Sequence, residues 1–151
     1  MERVIGSFMD AVIAAGDEAH DLERTVTRFA DALDASRAPR RRDQQQPPGP
    51  LAGGVQIHRV LEACSRSPAI RDRLVGLVQQ ALGRLAQAAS AGRAARTVRR
   101  DIDPRQVATL LVMLAIGLLA AGEMGMPLDP RAGARAVLAL LRPGRGRTVE
   151  P

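Results

Sequence analysis

Few side chains in this chain have the types and spacing that chemistry needs. The sequence holds two histidines, His20 and His58, and a single cysteine, Cys64. His20 stands among the acids of residues 17–23 and His58 is isolated, so spacing assembles no set of nucleophile, base and orienting group. We therefore expect surface or core-edge histidines and no enzyme activity.

Metal and cofactor chemistry also finds little support. The acids of residues 17–23 would suit a cation, but they more simply favour a helix N-terminus and a solvated face. A lone cysteine excludes an intrachain disulfide and a cysteine-based zinc site. The glycines of residues 144–147 follow the last helix, which is not the context of a phosphate-binding loop. We expect no metal and no cofactor.

Composition points to an all-α fold. The chain has 151 residues, no Trp or Tyr and two Phe, so its core consists of aliphatic residues, which favours helix packing over a sheet sandwich. All 22 basic residues are arginine, and their clusters at residues 40–42, 99–100 and 142–147 fall in loops or the tail. We therefore assign no DNA-binding residue.

The apolar spacing predicts a bundle of about six helices in one domain, residues 1–142. Residues 36–54 are rich in proline and glycine and are expected to form a flexible internal loop, and residues 143–151 a disordered tail. Predicted helices end near Gly16 and Gly92, and others begin after Asp21, at Ser67-Pro68, at Asp103-Pro104 and at Asp129-Pro130.

Residues 107–122 form a run without a charged side chain. The run is shorter than the roughly 20 residues that span a bilayer, so we expect a helix of a soluble, cytoplasmic protein without a membrane span. A helix that is apolar on every side must be covered on every side, by its own domain, by a second copy or by lipid. Because a two-fold dimer is the commonest way to cover such a surface, a homodimer is favoured.

The faces of this helix separate at about 100° per residue. One face, with small residues that allow close approach, and the helix that follows give the predicted dimer interface: Leu110, Leu114, Gly117, Ala121, Ala134, Val137, Leu138 and Leu141. Flexible methionines and a phenylalanine suit an adaptable apolar cavity, although an ordinary core would use the same residues. The candidate pocket residues for a small apolar effector are Met9, Phe29, Leu61, Cys64, Met113 and Ile116.

The second half of the chain has a recognisable series of helix boundaries. The series consists of Gly92 after a long helix, the Arg96, Arg99 and Asp101 turn, the Asp103-Pro104 start, Leu110-Leu111, Ile116-Gly117-Leu118, Leu128-Asp129-Pro130 and the Leu138 to Leu141 ending. With these residues, the order of the helices resembles the C-terminal half of the tetracycline-repressor (TetR) family of transcriptional regulators. In that family the last two helices of each subunit form a four-helix dimer interface, and the preceding helices enclose an effector pocket. The resemblance covers roughly residues 1–142 and implies a ligand-binding, dimerising domain.

The DNA-reading helix-turn-helix of this family is expected to include a Tyr-x-His-Phe-like segment before the first ligand-domain helix, and this chain has no tyrosine. Two interpretations stay open. The reading frame is truncated or starts at an internal methionine, or the chain is a module that reaches DNA only through a partner's helix-turn-helix. The alternative function is a helical interaction protein with a filled core and no effector.

Overall fold

The computed structural model describes residues 21–37 and 56–143, and within these two ranges every regular element is an α-helix. This confirms the all-α fold expected from composition and helical spacing. The predicted helix before Gly16, His20 and most of the predicted loop and tail lie outside the described residues; Ser36 and Arg37, assigned to the loop, extend a helix instead. The five helices are α1 (Leu22–Arg37), α2 (Ile57–Arg66), α3 (Pro68–Ala94), α4 (Pro104–Glu123) and α5 (Pro130–Leu141).

Four of these helices begin at the polar residue that the sequence indicates. Asp21, Ser67, Asp103 and Asp129 each accept an amide hydrogen of the first turn through a side-chain oxygen. At α4 the bonds from the amides of Arg105 and Gln106 measure 2.7 and 3.3 Å. Such caps satisfy donors that the helix itself leaves open, and they fix where each helix starts.

The buried apolar residues form two clusters. The first joins α1, α3, α4 and α5 and includes Val26, Ala89 and Val107; the second joins α1, α2 and α4 and includes Leu33 and Val60. Helices α3 and α4 make the most extensive helix pair. The small side chains of α3 at this contact explain how two helices poor in aromatic residues pack closely.

Three exposed ion pairs show that α1 and α5 run antiparallel. Glu23 near the start of α1 lies 3.1 Å from Arg142 after α5, while Arg131 in the first turn of α5 lies 2.7 Å from Asp31 and 3.2 Å from Asp34. Exposed pairs of this kind stabilise a fold only weakly, because water screens them. Their position nevertheless shows that the Arg131 side of α5 is turned toward α1.

The observed end of α3 lies within two residues of Gly92, near which the sequence predicts it. The helix continues past Gly92 to Ala94, and a Cβ on Gly92 would lie 2.6 Å from Cγ2 of buried Val98. The glycine therefore permits a close approach of the following turn. The left-handed residue that ends the helix is Arg96, with φ 62°, and the amide of Thr97 donates to the Gly92 carbonyl at 2.9 Å.

Candidate functional site

An apolar cavity of about 90 Å³ lies between α1, α3, α4 and α5, where the two core clusters meet. Its walls come from four helices, so a change in the cavity's content bears on the packing of the whole bundle. The lining residues are Thr25, Val26, Phe29, Ala30, Val78, Ala81, Leu85, Leu111, Val112, Leu114, Ala115, Ile116, Leu118, Pro130 and Ala134.

The chemistry of this cavity suits an uncharged apolar group. Among the described residues that line it, none is charged and Thr25 alone has a polar side chain. The Thr25 hydroxyl donates to the backbone carbonyl of Asp21 at 3.1 Å. Burying a charge without a partner costs several kcal/mol, so the walls of this cavity disfavour a charged group against them.

Two of the six candidate pocket residues line this cavity, namely Phe29 and Ile116. Met113 and Leu61 require correction, because 66% of the Met113 surface and 59% of the Leu61 surface are exposed on the outside of the bundle. Cys64 is buried in the second cluster with Val60, as an ordinary small core residue. Met9 lies outside the described residues.

Sequence reasoning missed the α3 and α5 walls of the cavity. Val78, Ala81 and Leu85 of α3 line the cavity and recur at helical spacing, which indicates only an apolar face. Pro130 and Ala134 supply the α5 wall. The apolar spacing of α3 predicts a buried helix face, but this pattern does not distinguish a face that packs against a filled core from one that lines a cavity.

The exposed side of α4 carries a second apolar surface. Leu110 is 49% and Met113 66% exposed, and Gly117 has open space around the position of a Cβ. Leu110 and Gly117 thus lie at the surface as the interface prediction requires, whereas Leu114 lines the cavity and Ala121 is buried within the chain. We call this surface the outward seam; it comprises Gln106, Leu110, Met113, Gly117, Ala120 and Met124.

Two of the four interface residues predicted in α5, Ala134 and Leu141, need correction. Ala134 and Leu141 are buried in the first cluster, and Val137 and Leu138 pack against it half-buried. The reason is the rotation of α5, whose buried side faces the chain's own helices. Leu140, which is 69% exposed, is the large apolar residue that α5 presents outward.

Glu123, at the end of α4, caps the start of α2. Its carboxylate accepts the amide hydrogens of Ile57 and His58, and Oε2 lies 2.8 Å from His58 Nδ1. The N-cap residue Gln56 provides no side-chain cap of its own. Partial burial works to raise the pKa of Glu123, but the hydrogen bonds from the His58 ring and the two amides outweigh it, so the pKa is lowered. His58 is therefore an exposed histidine whose ring is paired with Glu123.

Two further properties bear on function. Within residues 21–37 and 56–143, no three His, Cys, Asp or Glu side chains are grouped so that they could hold a metal ion. Helix α4 is long and apolar enough to cross a membrane by length and composition alone. A core helix passes the same test, and Val107, Leu111 and Leu118 of α4 are buried against the chain's own helices.

Within residues 21–37 and 56–143 the helices form an all-α domain with an apolar cavity between four of them. No set of catalytic side chains is assembled among these residues. A family model described as tetracyclin repressor-like, C-terminal domain matches residues 50–140. The match covers more than half of the chain, so the chain belongs to the family of tetracyclin repressor-like C-terminal domains. It includes α2, α3 and α4 and nearly all of α5. Comparisons with curated proteins and with solved structures gave no match.

Proposed function

We propose that this chain is the effector-binding and dimerisation domain of a TetR-like transcriptional regulator that works in the cytoplasm and has no enzyme activity. The observation that carries the proposal is the uncharged cavity between α1, α3, α4 and α5. An occupant there contacts four helices at once, so it biases the bundle toward the packing that accommodates it. DNA contacts come from a helix-turn-helix that no described residue supplies.

The effector is a small, uncharged, apolar compound. A cavity of about 90 Å³ is smaller than the engineered cavity of about 150 Å³ that takes up benzene. Binding of a larger compound therefore requires the side chains at the edge of the cavity to move. Phe29 and Ile116 are the candidates, because both line the cavity and neither is fully buried.

Thermal unfolding with a panel of compounds tests effector binding. Benzene, indole and p-xylene are expected to raise the melting temperature, because a compound that binds only the native state stabilises it, whereas tetraethylammonium is not. Ala81→Leu fills the cavity and is expected to abolish the rise. The matched control, Ala69→Leu, alters an exposed residue of the same helix that does not line the cavity.

A helical interaction protein without an effector is the second candidate, and the small volume of the cavity favours it. If the chain is such an interaction protein, no compound in the panel is expected to change its melting temperature. Ala81→Leu is then also expected to cost about 1–3 kcal/mol of stability through overpacking. A melting temperature that responds to the apolar compounds and loses this response in Ala81→Leu would rule it out.

Dimerisation through the outward seam is the other half of the proposal. Leu110 and Met113 expose large apolar side chains next to Gly117, which leaves room for close approach. Light scattering is expected to find twice the monomer mass. Gly117→Leu is expected to weaken the dimer by crowding this approach while circular dichroism stays helical, because no described atom lies within 4 Å of a Cβ at this position.

A further inference from the structure

Helix α2 differs from the other described helices in how its start is held. Those four are capped by a side chain next to their own first turn. At α2, Gln56 provides no side-chain cap, and the amide hydrogens of Ile57 and His58 go to the Glu123 carboxylate of α4. The helix has ten residues, too few for a stable helix on its own in water, so α2 depends on the contacts that dock it.

The opposite end of α2 is a joint of one residue. Arg66 ends α2 and Pro68 begins α3, so Ser67 alone separates the two helices, and its backbone is extended with φ −137° and ψ 110°. The series of helical hydrogen bonds is interrupted there, because Pro68 has no amide hydrogen to donate. Hinges commonly lie at such ends of elements. A helix joined by one residue at one end and held by a side chain at the other can swing as a unit.

Helix α2 backs one wall of the cavity without lining it. Its buried residues Val60 and Cys64 belong to the second cluster together with Leu118, and Phe29 and Leu114 pack against the same cluster. Phe29, Leu114 and Leu118 also line the cavity. These three side chains therefore lie between α2 and the cavity, and they gain room on the side away from the cavity when α2 moves outward.

We propose that α2 is a hinged lid that swings about Ser67 and is held closed by Glu123. When the lid opens, the wall that it backs moves into the space that α2 leaves, and the cavity accommodates a compound larger than its closed volume of about 90 Å³. Water competes for the closing contact, because 63% of the His58 side chain and 19% of the Glu123 side chain are exposed. The role of the lid rests on the effector binding proposed above, whereas the opening itself needs no effector.

Opening at α2 exposes less apolar surface than moving another wall of the bundle. The buried side chains of α2 are Val60, Ala63 and Cys64, all of small or medium size. Helices α3 and α4, in contrast, make the most extensive helix pair. The free energy of a local opening rises with the apolar surface that it exposes. Helix α2 is therefore the described element that opens at the lowest free energy.

Cys64 reports this opening, because it is the single cysteine of the chain and lies on the buried face of α2. The rate at which its thiol reacts with dithionitrobenzoate is measured in the wild-type chain at urea concentrations below the unfolding transition. A local opening exposes little surface, so this rate is expected to rise with urea much less steeply than the unfolding equilibrium constant. A rate with the full urea dependence of unfolding overturns the lid.

Glu123→Gln tests what holds the lid closed. The reaction rate of Cys64 is expected to rise about tenfold, because a charged acceptor holds the two amides of α2 more strongly than a neutral one. The matched control is Glu62→Gln, which removes a carboxylate from the exposed face of the same helix and is expected to change the rate by less than about twofold. Equal rates in Glu123→Gln and the wild type overturn the assignment of Glu123.

The link between the lid and the cavity is tested with p-xylene, which is larger than benzene. Saturating p-xylene is expected to raise the Cys64 reaction rate of the wild type by about fivefold or more, because it occupies the open form. Ala81→Leu, whose cavity is filled, is expected to show no rise. Glu123→Gln should bind p-xylene about tenfold more tightly, since apparent affinity increases with the population of the competent form.

The outcomes separate the lid from effector binding. If p-xylene raises the melting temperature but leaves the Cys64 reaction unchanged or slower, the link to the cavity is overturned and effector binding stands. If Cys64 reacts through a local opening that depends on Glu123 but no compound binds, effector binding is overturned and the lid stands.

Discussion

Helix α4 has two apolar faces, one buried within the chain and one exposed at its surface. Val107, Leu111 and Leu118, the inward face, are each less than a tenth exposed, whereas Leu110 and Met113 of the outward seam are 49% and 66% exposed. Both faces are made of the same kinds of residue. An apolar face therefore favours burial, but its composition does not determine what buries it. The packing of the neighbouring helices determines whether the same chain or another molecule covers the face.

The difference between the faces lies in shape. The inward face packs into two clusters to which α1, α3 and α5 contribute, so large side chains are accommodated. The outward seam carries large side chains at Leu110 and Met113 and small residues at Gly117 and Ala120, and none of the described helices covers it. Substitutions on the two faces should accordingly affect different equilibria, folding for one and association for the other.

The largest expected effect comes from breaking the inward face with Leu111→Ala. Removing this side chain is expected to lower the free energy of unfolding by about 2–5 kcal/mol, because it deletes buried methyl groups and enlarges the cavity. Chemical denaturation at a concentration where the protein is monomeric measures this value. Leu110→Ala, one position along the helix, is the matched control and is expected to change it by less than about 1 kcal/mol. Equal losses would mean that the two faces do not differ in this way.

Breaking the outward seam with Met113→Glu is expected to affect association. In the proposed dimer a carboxylate at this position would be buried without a partner, and we expect the dimer to weaken by about 100-fold or more. Sedimentation equilibrium measures the change, and circular dichroism is expected to stay helical. Arg105→Glu, an exposed substitution on α4 outside the seam, controls for charge alone.

Much of the fold follows from local chemistry in the sequence. Asp21, Ser67, Asp103 and Asp129 were assigned as helix starts, and each caps its helix. The side chains that make these contacts lie within three residues of the amides they accept from, so their effect requires no knowledge of the tertiary structure. The family of the chain followed from the same boundaries.

The faces and the cavity could not be derived in this way. Met113 was placed in the pocket and Leu141 in the interface, and the structure reverses both assignments because α3 packs on one side of α4 and α1 on one side of α5. The start of α2 was equally hidden, since its cap is Glu123, 66 residues from Ile57. Long-range contacts of this kind leave no periodic signal.

Glu123→Gln tests the contact by which the end of α4, through Glu123, caps the start of α2. Because the pKa of Glu123 is lowered from 4.5 in the folded chain, ionised Glu123 contributes stability at pH values above 4.5, and this contribution is lost as the pH falls through the lowered pKa. We expect Glu123→Gln to be less stable than wild type at neutral pH. The difference should shrink on acidification below 4.5, as followed by denaturation at a series of pH values. Glu62→Gln, which alters an exposed pair within α2, should show a much smaller difference, and a gap that persists in acid would contradict the assignment.

The smallest expected effect concerns the turns that orient the two faces. Helices α3 and α4 end in the same hydrogen-bonded motif. The left-handed residue is Arg96, with φ 62°, after α3 and Gly125, with φ 70°, after α4. A left-handed conformation costs a residue with a Cβ about 1 kcal/mol relative to glycine. Arg96→Gly should therefore raise the free energy of unfolding by about 0.5–1 kcal/mol, and Gly125→Ala should lower it by a similar amount. Chemical denaturation of the two variants measures both changes in the free energy of unfolding. A loss of stability in Arg96→Gly would show that its side chain contributes more to the α3–α4 turn than the backbone strain costs.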